Sequence, residues 1–63
     1  MSATKQFLKF QTRAGQRIEG RFLREEVGFV FVFVTSGPLE LWGYEVPFAK
    51  SDMRGLLVSK VGA

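Results

Sequence analysis

A chain of 63 residues, 46% hydrophobic and 24% charged, is long enough for one small globular domain and too short for two. It contains neither Cys nor His, which excludes disulfides, thiolate metal sites and imidazole chemistry. The net charge of +3 permits an anionic partner without specifying one.

The opening MSATKQFLKF has no long apolar core of a signal peptide, and the apolar run near residue 30 is too short to cross a bilayer. With no cysteine, the composition fits a cytoplasmic protein with no membrane role. The cations are unevenly placed. Lys5, Lys9, Arg13, Arg17, Arg21 and Arg24 are six of nine, and before Glu25 only Glu19 opposes them.

Residues 1–4 read as a frayed end. Residues 5–12 read as a first strand, with Leu8, Phe10 and Thr12 on one face and Lys5, Phe7, Lys9 and Gln11 on the other. A turn over 12–16 follows, where Gly15 supplies positive φ. Residues 16–24 read as a second strand, with Ile18, Gly20 and Phe22 on one face and Arg17, Glu19 and Arg21 on the other. Gly20 inside a strand signals a bend, a bulge or the close approach of another backbone. Cations at 5, 9, 13, 17 and 21 also approach a helical period. A spacing of four drifts around a helix of 3.6 residues per turn, however, and two glycines interrupt it, so a hairpin with one basic face is preferred.

Glu25-Glu26-Val27-Gly28 links this hairpin to the central segment, Phe29 to Val34, in which Phe and Val alternate without a polar residue. In a strand, Phe29, Phe31 and Phe33 point one way and Val30, Val32 and Val34 the other. A strand with one wet face reads apolar-polar, so both faces here require cover. Valines suit a tight interior and phenylalanines an interface. The Phe column is therefore expected to face outward and meet a second copy of the chain.

Thr35-Ser36-Gly37-Pro38 is a strong turn signal. Residues 39–48 read as a fourth strand, with Trp42, Tyr44, Val46 and Phe48 on one face and Pro47 marking an edge. In the polar connector 49–55, Ser51 or Asp52 is expected to cap a helical turn that Gly55 ends. Residues 56–61 form a short last strand. The expected fold is all-β over residues 1–63: a small, strongly bent, five-stranded antiparallel barrel with little or no helix.

Phe7-Leu8-Lys9-Phe10, Gly15, Ile18-Glu19-Gly20-Arg21-Phe22 and the apolar third strand together resemble the first motif of the Sm-like (LSm) family and, more widely, SH3-like barrels. The resemblance covers residues 6–34. It implies a bent barrel, then a ring, then RNA binding, and it carries over no site residue.

Two functions are expected from the residues. In the first, the chain is a homo-oligomer that binds single-stranded nucleic acid, most readily RNA. Lys9, Arg17, Arg21 and Arg24 contact phosphates, Trp42 and Tyr44 stack on bases, and Phe29, Phe31 and Phe33 form the oligomer interface. In the second, it is a protein-interaction module using the aromatic face and strand edges, with cations that only solubilise. Catalysis has no support: no serine has an evident base, Glu25 and Glu26 face apart in a strand, and no metal-ligand cluster, phosphate-binding loop or cofactor motif is present.

Overall fold

The computed structural model describes residues 4–62, which form five antiparallel strands: β1 (Thr4–Gln11), β2 (Arg17–Glu26), β3 (Phe29–Ser36), β4 (Glu45–Ala49) and β5 (Arg54–Gly62). They make one sheet in the order β4-β3-β2-β1-β5. The all-β, five-stranded antiparallel architecture expected from the sequence is present. The only helical pieces among the described residues are two 3₁₀ turns, Leu39–Leu41 and Lys50–Asp52.

The sheet curls strongly. In a flat sheet β1 and β4, three strand spacings apart, would be separated by roughly 14 Å. Instead Phe10 on β1 and Phe48 on β4 meet edge to face with ring centroids 5.0 Å apart. Inside the curl, Leu8, Phe10, Ile18, Val30, Val32 and Val34 are buried, and Phe22, Leu41, Val46, Phe48 and Met53 pack around them. No ladder joins β4 to β5 among the described residues, so the two edges of the sheet remain unpaired.

The Phe/Val alternation sets the orientation of β3. Val32 and Val34 are fully buried and Val30 nearly so, whereas Phe29 and Phe33 are 48% and 40% exposed on the outer face. Shape decides this: compact β-branched side chains fill the tight interior, and the larger rings are left outside. Gly20 permits the curl. Its partner in the ladder is Val34, and a Cβ at this position would lie 2.3 Å from the carbonyl oxygen of Phe33 and 2.6 Å from Val32 Cγ1. Of the three readings of Gly20, close backbone approach is realised, and a register shift lies beside it between Glu19 and Gly20.

The β2–β3 hairpin closes through Val27 and Gly28, at φ 29° and 81°. Positive φ at both central residues suits the two-residue turns that match strand twist, where Asn-Gly is preferred. Val27 is β-branched, 97% exposed and makes no packing that offsets its strained backbone. Val27→Asn is therefore expected to stabilise the domain by about 1 kcal/mol, raising Tm by roughly 4–8 °C in a thermal melt. An unchanged or lower Tm would show that the turn stores no strain.

Three local expectations are corrected. The fourth strand does not span 39–48. Pro38 leads into a 3₁₀ turn held by Leu41 N–H to Pro38 O at 2.9 Å, and Gly43 adopts φ 80°, so the strand starts only at Glu45. The turn before β5 is Lys50–Asp52 with Ala49 at its start and no side-chain cap, and Gly55 lies within β5. Thr4 is paired in β1 opposite Gly62, and the rest of the expected frayed end, residues 1–3, lies outside the described residues. Pro47 lies on β4, an edge strand, as its missing donor requires.

Candidate nucleic-acid interface

The β1–β2 ladder pairs Phe7 with Arg21, Lys9 with Glu19 and Gln11 with Arg17. These residues alternate with the buried Leu8, Phe10 and Ile18, so Lys9, Arg17 and Arg21 share the outer face, and Lys5 continues it along β1. All four cations are exposed. Among the described residues the ion pairs are Arg13–Asp52 at 3.5 Å, Arg24 with Glu26 and Glu45, and Lys50–Glu25. None of them uses Lys5, Lys9, Arg17 or Arg21. Glu19 stands opposite Lys9 without closing to ion-pair distance. Two strands thus present a positive face beside the partly exposed ring of Phe33, which is Arg21's partner on β3.

Arg24 stands apart from this set. A register shift between Phe22 and Arg24 places it opposite Phe31, and its guanidinium carbon sits 4.0 Å from the ring centroid. Its Nη2 bonds Glu45 at 2.9 Å and its Nε bonds Glu26 at 3.1 Å. These bonds, with Glu45 first, raise its pKa above the ordinary value. Arg24 therefore roofs the middle of the Phe column. Phe31 is half-buried beneath it, and the column is split into two exposed ends, Phe29 and Phe33.

Trp42 and Tyr44 lie in the loop before β4 and share no strand face. Trp42 is 48% exposed and Tyr44 65% exposed. The Trp42 ring is held by its Nε1–H, which donates to Gly37 O at 2.8 Å. Gly37 in turn packs on the start of β2, where an added Cβ would lie 3.0 Å from Arg17 O. The Thr35 hydroxyl ties the same region down by donating to Glu19 O at 3.2 Å. The loop thus anchors a half-exposed indole next to the backbone of Arg17. Sequence alternation placed Trp42 in a strand, whereas it lies in the turn region between β3 and β4, tied to Gly37, which packs on the start of β2.

Sequence reasoning missed Arg54. A register shift in the β1–β5 ladder, between Lys9 and Gln11, sets Lys9 opposite Leu57 but Gln11 opposite Arg54. Simple alternation from Leu57 would turn Arg54 inward; the extra residue turns it onto the basic face. The signal was Gly55 at the head of a strand, where glycine marks a bulge.

Besides Arg54, β5 exposes Leu56, Leu57, Val58 and Val61. These residues come from both sides of an edge strand, since Leu57 pairs with outward Lys9 and Val58 with buried Leu8. Among the described residues no helix is long and apolar enough to cross a membrane. A scan of family models and searches of curated proteins and of solved structures each found no match.

Proposed function

We propose that this chain is a small cytoplasmic β-domain that binds single-stranded nucleic acid, most readily RNA, on the outer face of β1, β2 and β5. One observation carries the reading. Lys5, Lys9, Arg17, Arg21 and Arg54 share one face without ion-pair partners among the described residues, while Arg13, Arg24 and Lys50 pair with carboxylates elsewhere. Assembling like charges is unfavourable unless something anionic occupies the face, and a phosphate backbone supplies a row of such charges. Phe33 beside Arg21, and the half-exposed Trp42 anchored to Gly37, offer rings for sequence-tolerant stacking. Arg24 leaves the phosphate set, because both of its carboxylate partners already occupy it. The Sm-like resemblance agrees with a bent nucleic-acid-binding barrel. The test is an anisotropy titration of labelled oligouridylate against purified, nuclease-treated protein at several salt concentrations.

The same reading includes self-association. The roofed Phe column is a poorer interface than first expected, and the β5 edge, apolar on both sides with an open backbone ladder, is the better one. Light scattering is expected to show an oligomer whose mass is unchanged between low and high salt. A monomer at both would remove the assembly.

A second reading is favoured by a separate observation: Leu39, Trp42 and Tyr44 form an exposed apolar corner. There the chain would be a protein-interaction module, and Trp42→Ala would weaken partner binding in a salt-tolerant manner while the basic face stayed idle.

A further inference from the structure

We propose that the bulge between β1 and β5 builds a seat for a single phosphate group, formed by Lys9, Arg17 and Arg54. This rests on the nucleic-acid reading for the molecule that presents the phosphate, and it names one fixed contact point within the basic face. The seat is a notch of about 180 Å³ with Lys9, Gln11, Arg17 and Arg54 around it and Phe10, Gly55 and Leu57 completing the lining. The three cations come from three adjacent strands, β1, β2 and β5, and no carboxylate lines the notch. Asp52, two residues from Arg54 in the chain, is committed to Arg13.

The bulge is what makes the site. Gly55 adopts φ 61°, a left-handed conformation open to glycine, and an added Cβ would meet nothing within 4 Å. The register shift there turns Arg54 to face Arg17 across Gln11. The Gln11 side chain is itself fixed, its Nε2 donating to Gly15 O at 3.2 Å. Two guanidinium-bearing side chains and an ammonium-bearing one line the notch from three strands, a donor set that suits the several oxygens of a tetrahedral phosphate better than a single carboxylate. Buried Phe10 gives the notch an apolar floor and exposed Leu57 an apolar rim, so its cations are not uniformly solvated. The alternative origin of the notch is a bulge that only relieves strand twist. It would leave Arg54 with no ligand to hold.

The experiment uses the full chain, ¹⁵N-labelled, with inorganic phosphate as the first probe. Saturable shifts of the Gln11, Gly55 and Leu57 amides are expected at roughly millimolar phosphate, and roughly tenfold weaker binding in Arg54→Gln. Lys60→Gln, on the opposite face of β5 across from Gln6, should leave both unchanged. Oligouridylate with and without a 5′-phosphate then separates the sources. Displacement by both assigns the seat to a backbone phosphate, and displacement only by the 5′-phosphorylated strand assigns it to a chain end. Absent phosphate shifts, or identical shifts in Arg54→Gln, would overturn the seat even if oligouridylate still bound. Phosphate shifts with no oligouridylate binding would keep the seat and overturn the nucleic-acid reading.

Discussion

The double variant Arg17→Glu/Arg21→Glu is expected to lose oligonucleotide affinity by roughly a hundredfold or more while keeping its fold. Both side chains are exposed, both lie on the outer face of β2, and neither is in an ion pair among the described residues. Reversing them turns two attractive phosphate contacts into two repulsive ones next to Glu19, so β2 would present three carboxylates in a row across the binding face. The fold should survive, because the buried side of the same strand consists of Ile18 and Gly20, with Phe22 packed against the core, and is untouched. Thermal melts of the variant and the parent should agree within a few degrees, since surface substitutions away from such features cost about 0.5 kcal/mol or less. Arg24→Gln is the matched control. It removes a cation from the same strand, but one already held by Glu45 and Glu26. Equal affinity in the double variant and the parent would leave the basic face without a role.

Gly20→Ala is expected to remove most of the domain's stability. A 63-residue domain is stable by roughly 3–9 kcal/mol in total. Ordinary overpacking costs about 1–3 kcal/mol because side chains can shift. Here the nearest atom to the new Cβ is a backbone oxygen, Phe33 O at 2.3 Å, and the next is Cγ1 of fully buried Val32. The oxygen cannot move without shifting the backbone of β3, the central strand, and the Val32 methyl has only the packed core to turn into. A loss of about 3 kcal/mol or more follows, seen as a steep fall in Tm and a collapse of amide dispersion. Retention of the parent Tm would mean that the sheet does not approach itself at this point.

Those two residue sets mark how much of the molecule was legible beforehand. Gly20 was readable in part: a glycine between Ile18 and Phe22, on the core face of a strand, signals a bend, a bulge or a close approach, and the fold selects the last. The orientation of β3 was readable because residue size alone separates its two faces. The basic face was readable once β1 and β2 were taken as a hairpin, since a spacing of four keeps Lys9, Arg17 and Arg21 on one side. The failures share a cause, which is that local pattern does not report a register shift or a tertiary partner. Arg24 looked like its neighbours, but Glu45, its partner at 2.9 Å, lies far along the chain and meets it only when β4 pairs with β3. Trp42 and Tyr44 alternate as a strand would, yet Pro38 and Gly43 impose a turn that the apolar pattern conceals. Arg54 sat in a segment read as a polar connector, and only the bulge at Gly55 sends it outward.

The most direct test of the central claim is the salt dependence of oligouridylate binding by the parent chain. If the Lys9–Arg17–Arg54 seat, Lys5 and Arg21 each hold one phosphate, the logarithm of the association constant should fall against the logarithm of salt concentration with a slope of roughly −2 per chain. A slope of that size, reduced by about one in Arg21→Gln or Lys5→Gln, each of which removes a separate phosphate contact, is the result the account predicts. No binding at low salt, or binding with a flat salt response, would contradict it and leave the apolar corner at Leu39, Trp42 and Tyr44 as the working surface.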